Sequence, residues 1–131
     1  MATQAFADTV RSHRFSVWLF WRGAWWPPCK EELKDFAMLS DQIHSAGGVL
    51  RGVVSQSQKT ADKAMADWKI PFPSIGDPTV SIAENIRKRG LLDIYVDVKM
   101  AEFFNKFDED KQLPGGRHKV RRYVHTLVLL S

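Results

Sequence analysis

Arg14-Phe15-Ser16-Val17-Trp18-Leu19-Phe20-Trp21, continued by Arg22-Gly23-Ala24-Trp25-Trp26-Pro27-Pro28-Cys29-Lys30-Glu31-Glu32-Leu33, is the stretch on which the fold turns. In an extended chain Phe15, Val17, Leu19 and Trp21 point to one side while Trp18 and Phe20 point to the other. Both faces are therefore apolar, as expected of an interior strand covered on both sides, and that pattern favours an α/β domain. A Gly-containing turn follows. Pro28 suits the first position of a helix, where its missing N–H costs nothing, and the helix is expected to run to Ala46 before Gly47-Gly48 stops it. Along it Cys29, Leu33, Phe36, Ile43 and Ala46 share one stripe. The cysteine is expected to face the protein body, partly open at the end beside the turn.

Working outward, Thr3 to Arg11 reads as a short helix with Phe6 and Val10 on one side. Val49 to Ser55 is a second strand, which completes a βαβ unit. Ser57 or Thr60 caps a helix in which Ala61, Ala64, Met65 and Trp68 repeat at helical spacing, closed by Ile70-Pro71. Pro71 to Gly76 is a short extended segment. Asp77 is expected as N-cap and Pro78 as first residue of a helix leading to Arg89, with cations in its last turn and Gly90 beyond. Leu91 to Val98 reads as a strand or a loop hugging the body. Lys99 to Gln112, with Met100, Phe103, Phe104 and Phe107 on one stripe, reads as an amphipathic helix. Leu113-Pro114-Gly115-Gly116 breaks it, and Arg122 to Leu130 is a final strand rich in β-branched and apolar residues.

The 131 residues, 44% hydrophobic and 26% charged, fit one globular domain over 1–131 with a core of its own. No run approaches the roughly 18 apolar residues of a membrane-spanning helix, and residues 1–14 hold no signal-like apolar run. One cysteine cannot close an internal disulfide. A cytoplasmic location away from membranes is the expectation. The net charge of +4 comes largely from Arg87-Lys88-Arg89 and from the basic run at 117–122. These read as a solvated face or helix-end cations; with no recognition motif beside them, nucleic acid is not the expected partner.

Cys29 is the residue on which chemistry would rest. A thiol in the first turn of a helix faces unpaired N–H groups and the positive end of the dipole, which favour the thiolate, whereas burial among aromatics opposes it. The bland alternative is a small buried hydrophobe. Trp21, Trp25 and Trp26 wall a substrate pocket, form a partner surface or simply pack, and Arg22 either supports a thiolate by charge or is a surface cation. His13, His44, His118 and His125 show no ligand spacing, so neither a metal nor any other cofactor is expected. His125, beside Thr126 on the last strand, is the one histidine placed to approach the cysteine.

The run from Trp18 to Leu33 resembles the active-site segment of thioredoxin-like proteins of the alkyl hydroperoxide reductase and thiol-specific antioxidant family, which includes the peroxiredoxins. Pro71-Phe72-Pro73-Ser74-Ile75-Gly76-Asp77-Pro78 resembles the family's Phe-Pro strand and Asp-Pro helix start. The resemblance covers residues 14–90 and implies a thioredoxin-like α/β fold with a central mixed sheet and helices on both faces. Three departures stand out. Trp26 occupies the place of the first cysteine in the two-cysteine motif and also of the hydroxyl residue in the peroxidatic Thr-x-x-Cys pattern. No proline precedes the last strand, where His125-Thr126 stands. Relative to the family the chain also stops early.

What the resemblance implies is a thiol-dependent redox protein of peroxiredoxin type. Cys29 would be its nucleophile, with Arg22, Trp25, Trp26, Pro27, Pro28 and Thr126 around the substrate or partner. An external thiol, of thioredoxin or glutathione type, would resolve the oxidised cysteine. The alternative is a non-catalytic thioredoxin-fold module that binds a partner through the tryptophan-rich turn. An apolar last strand left uncovered would invite pairing with a second copy.

Overall fold

The computed structural model describes residues 2–24, 27–90 and 124–130. The strand at 91–98 and the helix at 99–112 expected from sequence lie outside the described residues. In chain order the elements are α1 (Ala2–Ser12), β1 (Phe15–Trp21), α2 (Pro27–Ala37), α3 (Ser40–Ser45), β2 (Gly48–Val54), α4 (Gln58–Asp67), β3 (Ser74–Gly76), α5 (Ser81–Lys88) and β4 (Val124–Leu130).

The strands form one sheet in the order β3-β2-β1-β4. β1 pairs in parallel with β2 from Phe15↔Gly48 to Trp21↔Val54, and antiparallel with β4 from Phe15↔Leu130 to Trp21↔Val124. β2 pairs in parallel with β3. The interior position of β1 is what its two apolar faces require. Val17, Leu19 and Trp21 pack with Leu50 and Val54 against Cys29 and Leu33 of α2 and Ala61, Ala64 and Met65 of α4. Trp18 and Phe20, on the opposite face, pack with Val53 and Leu127 against Ile82, Ala83 and Ile86 of α5, with Phe6 and Val10 of α1 alongside. The sheet is thus mixed and carries helices on both faces.

Two hydrogen bonds and a ring contact brace this core. Trp18 Nε1 donates to the buried Ser16 Oγ at 2.7 Å, and the Phe6 ring lies 4.3 Å from the Trp18 ring between centroids. On the other face Trp21 Nε1 donates to Ser74 Oγ at 3.1 Å and so ties β1 to β3. Gly52 stands between them in β2, and a Cβ there would collide with Ser74 Oγ and crowd Trp21 Nε1. Glycine at that position permits the indole to cross beneath the strand.

Two expectations need correction. The helix expected to run unbroken to Ala46 is two helices, α2 and α3. At the junction Met38 and Leu39 donate back three residues, to Asp35 and Phe36, which tightens and ends the first helix. Ile43 still reaches the core, while Ala46 is exposed. Asp77 is not the N-cap residue: α5 begins at Ser81 after Val80, which adopts φ 54° and ψ 25°. That left-handed conformation is costly for a β-branched residue. Asp77 offsets it from four residues upstream, its buried carboxylate accepting from Ser81 Oγ at 2.8 Å and from the Ile82 N–H at 2.7 Å. The capping chemistry is the expected one, delivered across an extra turn. Ser57, by contrast, caps α4 as its sequence suggests, its hydroxyl accepting from the Thr60 N–H.

Candidate functional site

β1 ends at Trp21 and α2 begins at Pro27, so the turn between them brings residues 22–24 over the first turn of the helix. Cys29 sits in that turn on the face of α2 that packs against β1, and it is fully buried, with 0% of its surface exposed. The partly open cysteine expected from sequence is therefore not found. The stripe that carries Leu33 into the core carries the sulfur in with it.

Main-chain N–H groups of the turn face the sulfur. Sγ accepts a hydrogen bond from the Arg22 N–H at 3.4 Å, and the Gly23 N–H is directed at the same atom. Successive N–H groups converging on one acceptor make a small anion-favouring concavity, reinforced by the N-terminal end of α2. Removal from water nevertheless dominates. Burial pushes the Cys29 thiol up to about 11 from its ordinary 9.0, outweighing the two N–H groups that pull it down; the Glu32 charge adds to the rise and the Arg22 charge opposes it. In this closed arrangement the group is a thiol at neutral pH.

That shift carries a consequence for stability. A group whose folded value lies above its unfolded one contributes fully below the unfolded value, and the contribution is lost as pH rises through the folded one. Urea unfolding of the wild-type chain should therefore weaken by about 2 kcal/mol more than that of Cys29→Ala between pH 9 and 11, the window set by the two values. Parallel pH profiles for the two proteins would show that Cys29 ionises equally well folded and unfolded.

Of the other residues expected at the site, the structure brings Arg22 to Cys29 through its backbone N–H, with its side chain half-buried. Pro27 and Pro28 open α2. Trp25 and Trp26 lie outside the described residues. Thr126 pairs with Leu19, so it occupies the same face of the sheet as the Cys29 cluster, and it is exposed. His125 is set by the register opposite Phe20, whose side chain belongs to the other cluster. Among the described residues no group of three or more His, Cys, Asp or Glu could hold a metal, and no helix is long and apolar enough to cross a membrane.

One participant was not singled out from sequence. Gln56, just beyond β2, is buried, and its Oε1 accepts from the Ala24 N–H at 2.8 Å. It stands in the polar run Ser55-Gln56-Ser57-Gln58, which reads only as a loop and a cap. Nothing in that run marks the second residue as buried.

A comparison with curated proteins finds no match. Among solved structures the chain is similar to a cysteine-to-serine mutant of PrxQ from Xylella fastidiosa, with a TM-score of 0.57 and 19% identity over 70% of this chain and 54% of that one. It is similar to the peroxidoxin BcpB from Mycobacterium tuberculosis, with a TM-score of 0.56 and 15% identity over 70% of this chain and 56% of that one. The yeast mitochondrial 1-Cys peroxiredoxin gives a TM-score of 0.54 and 22% identity over 68% of this chain and 43% of that one. The chain spans about half the length of each of these structures. At such identities the likeness establishes the fold, which is thioredoxin-like. The model of the AhpC/TSA family matches residues 3–93, a span that contains β1, the turn, α2 with Cys29 and the Asp77-Pro78 segment. By that match, the chain belongs to the AhpC/TSA family, the thioredoxin-like family that includes the peroxiredoxins.

Proposed function

We propose that the chain is a thiol-dependent redox protein of peroxiredoxin type, which reduces a peroxide or disulfide through Cys29. The observation that carries this reading is the sulfur at the start of α2 with two main-chain N–H groups aimed at it, in a chain of this family. In the reaction the Cys29 thiolate attacks one peroxide oxygen. The O–O bond breaks, the second oxygen leaves as an alkoxide or hydroxide that takes up a proton, and the sulfur becomes a sulfenic acid. An external thiol, of thioredoxin or glutathione type, then attacks that sulfur, water leaves, and a mixed disulfide remains. A second external thiol releases reduced Cys29 and carries away the disulfide.

The roles divide accordingly. The N–H groups of Arg22 and Gly23 stabilise the thiolate, and the Arg22 charge assists them. Trp25, Trp26, Pro27, Pro28 and Thr126 are assigned to substrate or partner binding. Trp26 offers no hydroxyl to orient a peroxide, so the turn itself must do the positioning. Because the sulfur is covered, reaction proceeds from a state in which the turn has opened. A reducing, cytoplasmic setting suits a lone thiol that needs an external reductant. Pairing with a second copy through β4, whose Val128 and Leu130 are 55% and 81% exposed, is part of the same proposal.

The burial of Cys29 favours a second reading, a non-catalytic module that binds a partner through its tryptophan-rich turn. Peroxide consumption with an added thiol separates the two. On the first reading it falls to background in Cys29→Ser; equal consumption by the variant would refute the assignment. On the second, Trp25→Ala and Trp26→Ala abolish partner capture and Cys29→Ser does not.

A further inference from the structure

Gln56 is 3% exposed, an unusual setting for a glutamine, and its one described bond spans from the end of β2 to the turn over Cys29. A peptide N–H can only donate, so the atom facing Ala24 must be the carbonyl oxygen, which settles the orientation of the amide. The N–H groups of Arg22, Gly23 and Ala24 then have two destinations. The first two meet the sulfur, and the third is tied to the loop between β2 and α4. The turn is thus held at both ends, by its own helix through Sγ and by the next βα connection through Gln56. Without that acceptor the Ala24 N–H would have to turn toward water, drawing the residues beside the sulfur with it.

We propose that Gln56 is a positioning residue of the Cys29 site, whose carboxamide latches the β1–α2 turn over the sulfur. Its bearing on turnover rests on the function proposed for Cys29; the latch itself concerns only access to the sulfur. Iodoacetamide labelling of Cys29 in the folded protein, at pH 8 and without denaturant, tests it. Gln56→Ala should label about five-fold faster than the wild type, the effect of removing one partly buried hydrogen bond from the closed state. Gln56→Asn keeps the polarity and shortens the reach by one methylene; it should behave likewise, and it carries the test if the alanine variant does not fold. Gln58→Ala is the control. It loses bonds to the Ser74 carbonyl and the Gly76 N–H, so it is destabilised without touching the turn, and it should label within about two-fold of the wild type.

Wild-type labelling in the folded Gln56 variants, or equal acceleration in Gln58→Ala, would overturn the latch. If Cys29→Ser retains full peroxide consumption, the proposed function falls while the labelling comparison still decides the role of Gln56.

Discussion

At pH 7 Cys29 in the folded protein should react with iodoacetamide roughly 100-fold more slowly than in the urea-unfolded chain, once the effect of urea on a free thiol has been corrected for. The reagent attacks the thiolate, and below both values the thiolate fraction falls about ten-fold for each unit by which the pKa lies above the pH. A rise from 9.0 to about 11 therefore removes a factor of about 100 before any steric cover is counted. Cover by the turn lowers the folded rate further. The cause is desolvation: the two N–H groups at the sulfur recover only part of what leaving water costs the charged form. A folded rate within ten-fold of the unfolded one would show a sulfur in contact with solvent.

The largest loss of stability should come from Trp18→Ala, about 4–5 kcal/mol by urea unfolding. Trp18 is fully buried at the centre of the cluster that joins α1, α5 and β4 to the sheet. Truncation leaves a cavity where the indole packed on Phe6, and it strips the buried Ser16 hydroxyl of its donor. Against a total of about 5–15 kcal/mol for a folded domain, that loss removes much of the margin. Trp18→Phe should lose less, because the ring volume stays and mainly the N–H to Ser16 goes. A cost below about 2 kcal/mol for the alanine variant would mean that this face of the sheet is not the closely packed core described above.

Much of the architecture is legible in one strand. The double alternation of β1 requires cover on both faces: Cys29 and Leu33 with Ala61, Ala64 and Met65, whose stripes the sequence also shows, cover one side, and Ile82 and Ile86 of α5 cover the other. What escaped the reading depends on contacts distant in sequence or on local geometry without its own signature. The break at Met38-Leu39 contains neither Gly nor Pro, since Gly47-Gly48 come later, and it arises because the last N–H groups of α2 close bonds one residue shorter. Asp77 was recognised as a cap but not its distance from the helix, because the left-handed Val80 has no marker in sequence. At the site, a thiol at a helix start was legible, and so was the contest between dipole and desolvation. Its outcome was not, because burial depends on how closely residues 22–24 lie over the sulfur. Gln56 illustrates the same limit: its partner Ala24 is thirty-two residues away.

Membership of the AhpC/TSA family and a covered, protonated Cys29 are reconciled if the turn opens before the sulfur reacts. The most direct test is peptide mass spectrometry of the folded protein treated with hydrogen peroxide in the presence of a sulfenic-acid trap. The expected result is a trap adduct on the Cys29 peptide, formed faster in Gln56→Ala than in the wild type. An unmodified Cys29 peptide in the folded protein, while the same peptide is oxidised in the unfolded chain, would contradict it and leave the tryptophan-rich turn as a binding surface alone.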